Sequence, residues 1–508
     1  MNEAPPNTPY IALSRTMRFP SLVKELAEFF RSRSGEAYLV GGAVRDALLG
    51  HEPEDIDLAV SEDAYTVACS IADTLGGHCF RLHEDPQIAR AVLSGGEWSG
   101  NVDIVTIQDG IERDMLRRDF TVNAMALPID AASSVDIDAQ ILDGCGGLAD
   151  LRSGIIRMVS IGALDEDCVR LMRGARLAVQ FGFSLESETA ASISARASLI
   201  SDASQERVRD ELMRILRMPD ARAGIRLLDE LGLLCPILPE LAEAKGVTQP
   251  KEHYWDVFDH LVEAVGWVDA MFHDDTDESV LSMMPRFEGL SDYYGGEVGV
   301  GFDRLTYLKL AALLHDIAKP ATKTIEASGR IRFLGHHTEG EVIAREIMKR
   351  LRFGRRGVDH VAGMVRYHLR PRQMAEKGKL PTKRALYRYY RDVGDVALDT
   401  LYLNTADYLA ARGPMLEQED WKGHCDLIRH ILKAGNATGS RNSRDSVKSL
   451  PKLVSGYDII DRFALAPGRT IGELLEEVKE AQASGEVSTR EQALELVRTS
   501  LERGGNGA

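Results

Sequence analysis

The stretch Tyr38–Val60, YLVGGAVRDALLGHEPEDIDLAV, carries the reading from which the fold follows. An apolar run, Tyr38-Leu39-Val40, ends in Gly41-Gly42. An amphipathic segment continues to Leu49, Gly50 stops it, and in Asp55-Ile56-Asp57-Leu58 acids alternate with apolar residues. This is the pattern of strand, glycine turn, helix and strand. Strand side chains alternate faces, so Asp55 and Asp57 share one side while Ile56 and Leu58 enter the core. Two carboxylates about 7 Å apart on one strand edge suit a divalent metal. The glycines let the backbone approach a phosphate, and the helix behind them turns unpaired N–H groups and its positive dipole end toward that anion. Either half alone would also fit a solvated strand end or an ordinary turn. Together they describe one cleft for a metal and a triphosphate.

Working outward, Ser21 to Phe30 predicts a helix with Leu22, Leu26 and Phe29-Phe30 on one side, and Ala64 to Leu75 another, ended by Gly76-Gly77. Strand patterns follow at Cys79–Leu82, Ala89–Leu93 and Val102–Ile107. Asp103, again an acid between apolar residues, is a candidate third carboxylate. Arg117, Arg118, Asp119 and Asn123 stand ahead of an apolar run and can supply guanidinium forks for phosphate and partners for a ribose. From Asp165 the chain reads as helical, with Asp167, Arg170 and Arg173 predicted along one helix face. Cytosine and adenine both present an amino donor beside a ring-nitrogen acceptor, so an aspartate next to an arginine suits these bases and leaves uracil and guanine unpaired.

The second half carries other chemistry. His260, His315-Asp316, His336, His368 and Asp407 lie in or beside helical segments and suit one or two divalent metals with open positions for a phosphate and a water. His253 and His337 are set aside as spare histidines. Met271 to Arg304, rich in Asp, Gly and Met, reads as a partly ordered excursion. From Arg366 to Arg391 nine Lys and Arg oppose one acid, Glu376, among Tyr367, Tyr387, Tyr389 and Tyr390. That segment suits either phosphate contacts with base stacking or a solvated helix face over core tyrosines.

With 508 residues the chain has room for about three domains. Its net charge of −17 argues against a globally basic nucleic-acid binder and leaves only local patches for that role. Neither a long apolar run nor a signal-peptide pattern is present, which predicts a cytoplasmic protein with no membrane contact. The six cysteines are scattered without a C-x-x-C pair and suggest neither a disulfide framework nor a zinc ribbon.

The ordered motifs LVGGAVRD, Asp55-x-Asp57, RRDFTVNAMAL, Asp143-Gly144 to Asp150-Leu151 with Ile156-Arg157, EDCVRLMRGARLAVQFGF, and Glu206-Arg207-Val208 with Glu211 resemble the class II tRNA nucleotidyltransferase and bacterial poly(A) polymerase family. The second half is similar to the HD phosphohydrolase domain of many members. The resemblance implies an α+β fold, a small DNA polymerase beta-like head followed by helical regions. The expected divisions are a disordered 1–19, a head at 20–160, a neck at 161–250, an HD domain at 251–415 and a tail at 416–508 with a linker at 435–449. It implies Mg2+ on the catalytic Asp55 and Asp57, and phosphate and ribose held by Arg117, Arg118 and Asp119. Gly41, Gly42, Arg45, Asn123, Arg173 and Arg176 join the implied nucleotide site, and Asp167 and Arg170 read the base. The six HD residues would hold a divalent transition metal or Mg2+ for phosphatase or cyclic phosphodiesterase chemistry. The implied partners are a tRNA 3′ end, CTP and ATP. The segment between Asp103 and Arg117 is short where many full CCA-adding members carry a longer loop, a shortening associated with CC-only enzymes. CC-only, A-only and poly(A) addition therefore stand beside CCA addition. From a different class, the second half could serve as a metal-free RNA-binding module.

Overall fold

The computed structural model describes residues 11–505 apart from 15–16, 85–86, 95–97, 134–139, 274–279, 300, 376–378 and 437–450. Most of the expected 1–19 disordered segment and 435–449 linker, and part of the 271–304 excursion, lie outside the described residues. The chain divides into two compact units, Met1–Glu211 with Leu227–Ile237, and Leu212–Arg226 with Leu238–Ala508.

The first unit is built on a six-stranded sheet: β1 (Ala37–Val40), β2 (Ile56–Val60), β3 (Gly77–Glu84), β4 (Gln87–Leu93), β5 (Gly100–Thr106) and β6 (Ala126–Pro128), in the spatial order β3-β4-β5-β2-β1-β6. Among the described residues of this sheet, only β2 and β5 pair in parallel, with Asp57 opposite Asp103. A parallel pair needs a crossover, and the chain between β2 and β5 supplies one as a helix, α1 (Ala64–Leu75), and the hairpin β3–β4. Ile56 and Leu58 are fully buried on the face opposite Asp57. The same two-residue period thus fills the core and aims the acid outward. Beyond the sheet come α2 (Ile111–Leu116), α3 (Ile161–Glu166) and α4 (Val169–Phe181). Four residues, Ile107 to Gly110, join β5 to α2. Asp167 is the C-cap of α3 and precedes α4, so it does not share a helix face with Arg170 and Arg173 as the spacing predicted.

Cys69 and Cys79 are joined as a disulfide, contrary to the expectation from cysteine spacing. They lie in α1 and β3, adjacent elements whose packing brings the Cα atoms to 5.1 Å. This proximity belongs to the helix-on-strand contact and has no short sequence signature.

The second unit is mainly helical. The helices that carry or end at its predicted His and Asp residues are α5 (Val257–Phe272), α6 (Arg304–Leu314), α7 (His336–Arg350), α8 (Arg355–Tyr367) and α9 (Ala397–Arg412). Among the described residues of the 271–304 segment, the chain packs firmly: Tyr294 is buried, and Tyr293 and Arg304 both bond Asp399. Its Asp and Gly content made it look loose because the tyrosines that seal it pack against α9, far along the chain. The basic stretch is likewise structural in part. Tyr387, Tyr389 and Tyr390 are buried rather than offered for stacking, and Arg384, Arg388 and Arg391 pair with Glu480, Arg391 also with Glu476. Among the described residues no helix is long and apolar enough to cross a membrane.

Candidate active sites

A cleft of about 800 Å³ opens over the parallel strands of the first unit. Asp57 and Asp103 face it from neighbouring strands, Arg117, Arg118 and Asp119 from the end of α2, and Asp167, Arg170 and Arg173 from the start of α4. Burial, the largest influence, pushes the Asp57 carboxyl up to about 6. Arg118 opposes this, while Asp103 and Asp55 add to it. Asp55 itself is exposed immediately ahead of β2. A raised carboxylate pKa marks a place short of positive charge, which is the deficit a divalent cation would fill. The donor set therefore fits such an ion on Asp55 and Asp57.

Gly41 is required by geometry. Its φ is +70°, and a Cβ there would lie 2.9 Å from an Arg118 nitrogen and 3.2 Å from Asp57 Oδ2. Gly41→Ala is expected to reduce nucleotide addition about tenfold or more and to cost about 1–3 kcal/mol of stability. An addition assay beside a denaturant titration checks this, and full activity in the variant would remove Gly41 from the site.

The charges around the cleft are pre-set by partners. Asp103 receives both forks of Arg90, at 2.6 and 2.7 Å. Arg118 donates to Asp114 at 2.9 Å. Asp119 accepts from Arg173 at 3.0 Å, from the Asn123 amide at 3.1 Å and from the Phe120 N–H at 2.8 Å. Burial would raise its pKa, but Arg173 and Asn123 outweigh it and hold the carboxylate below the usual range. In Asp167, Oδ2 accepts from Arg207 at 2.5 Å and Oδ1 from the Val169 N–H at 3.2 Å. Arg170 donates to the Ala163 carbonyl at 2.7 Å.

Three predicted side-chain ligands, Arg45, Asn123 and Arg176, do not line the cleft. Arg45 is buried, clasped by Asp46, bonded to Asn123 and stacked 4.6 Å from the Phe181 ring. It anchors the helix Gly42–Leu48 rather than lining the cleft. Arg176, one turn beyond Arg173, pairs with buried Glu211 at 2.7 Å. Arg90 and Arg207 were not singled out for the cleft: Arg90 lies in an ordinary strand pattern, and Arg207 reaches Asp167 across 40 residues.

The second unit assembles all six predicted residues at one point. Asp316 bridges two ligand groups. Its Oδ2 lies 3.3 Å from His260 Nε2 and 3.2 Å from His315 Nε2, and its Oδ1 lies 3.2 Å from His336 Nε2 and 3.6 Å from His368 Nε2. Asp407 Oδ1 completes the first group at 3.3 and 3.6 Å from His260 and His315. His315, His336 and His368 each turn Nδ1 to the carbonyl three residues earlier, at 2.6–2.8 Å. A carbonyl only accepts, so Nδ1 carries the proton and the Nε2 lone pair faces the centre, the arrangement of metal-binding histidines. His336 Nε2, His368 Nε2 and Asp316 Oδ1 are buried without a protein hydrogen bond. These orphaned atoms fit one or two divalent ions, and the two donor groups meet at Asp316. Burial would raise Asp316, yet the Lys319 ammonium beside it holds it well below the usual carboxylate range. Lys319 was not predicted; its Nζ lies 2.5 Å from Asp316 and is anchored by Gln249. His253, set aside from the sequence, stands 5.6 Å from the His260 ring with Nδ1 unpartnered, and burial pushes it down to about 3.

Fold and sites together define a nucleotidyltransferase-type head followed by a helical unit that carries a His-Asp cluster. The comparisons agree. Residues 37–157 match the poly A polymerase head domain, 182–245 the probable RNA and SrmB-binding site of polymerase A, and 281–412 the HD domain. The chain is 34% identical to a CC-adding tRNA nucleotidyltransferase of Thermus thermophilus, over 90% of this chain and 92% of that one. It is 33% identical to an A-adding tRNA nucleotidyltransferase of Deinococcus radiodurans, over 91% and 95%. Among solved structures, a CCA-adding enzyme in complex with ATP matches with a TM-score of 0.61 at 22% identity, over 94% of this chain and 95% of that one. The chain belongs to the class II tRNA nucleotidyltransferase and poly(A) polymerase family, in the branch that carries an HD domain.

Proposed function

We propose that this protein extends tRNA 3′ ends with C and A, using CTP and ATP and releasing pyrophosphate. The observation that carries this is the convergence of Asp57, Arg118, Asp119, Asp167 and Arg170 on one cleft. A divalent cation, Mg2+ by the family relation, would be held by Asp55 and Asp57 and would favour ionisation of the primer 3′-hydroxyl and neutralise the triphosphate. Arg117 and Arg118 supply further positive charge to the phosphates. Asp119, held ionised by Arg173 and Asn123, is set to accept a hydrogen bond from a ribose hydroxyl. Asp167 presents an acceptor and Arg170 a donor to the base edge, so no nucleic-acid template is needed for C or A.

Two of the relatives named above divide the reaction, one adding CC and the other A. The four-residue join from β5 to α2 favours the CC-restricted reading, because it leaves little chain to rearrange when the incoming base changes. The test is incubation of the protein with tRNAs ending before CCA, after C and after CC, each with CTP, ATP or both, followed by sequencing of the ends. Extension by CC alone supports the restricted reading, and completion to CCA supports the full reaction. No extension of any tRNA overturns both.

The second activity proposed is hydrolysis of phosphate monoesters or 2′,3′-cyclic phosphates at the His-Asp centre. Its support is the set of inward-facing Nε2 lone pairs, which a metal-free RNA-binding module would have no reason to bury.

The raised Asp57 also sets a pH dependence. Between its ordinary 3.8 and about 6 the folded chain retains a proton that the unfolded chain releases, so this group favours folding at low pH and loses that contribution as pH rises through about 6. Metal affinity runs the other way: below about pH 6 a proton competes for Asp57, and Mg2+ binding is expected to weaken by up to about tenfold per pH unit. Mn2+ titrations from pH 5 to 8 read this directly. An equally steep fall in Asp57→Asn would assign it to another group.

A further inference from the structure

We propose that Phe80 and His78, on the outermost strand of the head sheet, form a stacking platform for the single-stranded 3′ end of the RNA acceptor. This rests on the nucleotidyl transfer proposed above and adds where the acceptor lies.

The register of the sheet sets four side chains in one row across it. Asp57 on β2 is opposite Asp103 on β5, Asp103 is opposite Arg90 on β4, and Arg90 is opposite Phe80 on β3. Residues directly opposite one another project to the same face, so Phe80 stands on the face that bears Asp57. Three strand spacings of about 4.8 Å put it about 14 Å from that acid. His78, two residues earlier, shares the face, and the two rings lie nearly parallel with centroids 6.4 Å apart. Phe80 is 40% exposed, and His78 is exposed beside it.

The two flanks of Asp57 differ. On the β1 flank stands Arg118, one nitrogen of which lies 2.9 Å from where a Cβ at Gly41 would be, among the groups assigned to the incoming triphosphate. On the β5 flank the row passes through Arg90, whose two forks are given to Asp103, and ends in the aromatic pair. An acceptor strand has to reach Asp57 from the flank that the triphosphate leaves open. Every base has a π face, so an aromatic ring stacks on any of them. That property suits an acceptor whose terminal base changes with each addition, where a reader of base edges would fit only one step.

The opposite face of β3 holds the platform in place. Cys79, between the two aromatics, is joined to Cys69 of α1, and Arg81 lies 4.6 Å from the Tyr65 ring of the same helix. These contacts steady a strand that has only β4 to pair with among the described residues. The one acid of β3, Glu84, comes at its far end, past the register shift between Arg81 and His83.

Steady-state extension of a tRNA by the full chain tests the platform. Phe80→Ala is expected to raise the KM for tRNA about tenfold while the KM for the added nucleotide stays within about twofold, and Phe80→Tyr, which keeps the ring, should restore the tRNA value. The same tRNA with its 3′-terminal bases replaced by abasic sites should be extended by the wild-type chain with a similarly raised KM, and Phe80→Ala should weaken it no further. An unchanged KM for tRNA in Phe80→Ala, an equal rise for the nucleotide, no recovery in Phe80→Tyr, or an additive loss on the abasic tRNA would overturn the platform and leave nucleotidyl transfer standing. No extension of any tRNA by the wild-type chain overturns both.

Discussion

Asp57→Ala is expected to abolish nucleotide addition while leaving hydrolysis at the His-Asp centre unchanged. The loss should reach about a thousandfold, since a metal-held charge in the transition state contributes several kcal/mol at about 1.36 kcal/mol per tenfold. The fold should tolerate the change. Asp57 projects into the cleft while its neighbours Ile56 and Leu58 fill the core, and removing a carboxyl whose pKa burial has raised to about 6 relieves a buried charge. Primer extension with CTP and ATP, with phosphatase measured on the same preparation, gives the answer. Addition retained at the wild-type rate would move the catalytic centre off β2.

Asp316→Ala is expected to do the reverse: bound metal and phosphohydrolase activity disappear, and addition stays within about twofold. Asp316 is the one residue that both ligand groups share, so its loss removes a donor from each. It also leaves Lys319, 5% exposed, as a buried cation without its partner, a cost of about 3–5 kcal/mol. Asp316→Asn keeps the volume and separates lost chemistry from lost folding. Elemental analysis of both variants checks the metal, and a full complement of metal in Asp316→Asn would show that His260, His315 and Asp407 suffice.

The contrast between these residues shows which features were legible in the sequence. The alternation around Asp57 is local: a strand's period of two places Ile56 and Leu58 inside and the acids outside whatever surrounds them. The His-Asp ligands were legible because imidazoles and carboxylates in and beside apolar helices have few other uses, and their recurrence over one stretch outweighs chance. Local logic stops where a charge has a distant partner. Arg45, which the family resemblance implied for the nucleotide site, is held in the core by Asn123 and Phe181. The stretch from Arg366 to Arg391 suited either an RNA surface or a helix face over core tyrosines, and only distant partners decide for the second over Arg384 to Arg391: Glu476 and Glu480 neutralise the arginines and packing buries the tyrosines.

By itself, the sequence determined the order of strands and helices around β2, the place of Asp57 on that strand, and the residue types of the His-Asp cluster, because each follows from periodicity or from chemistry within one element. Only the tertiary structure decided which charges are free to act. It gave Asp103 to Arg90 and Arg176 to Glu211, held Asp167 in place at the cleft with Arg207, joined Cys69 to Cys79, and turned three Nε2 lone pairs toward Asp316. The physical reason is that a charge or lone pair is spent by whichever partner folding brings within about 3 Å, and most of those partners lie far along the chain.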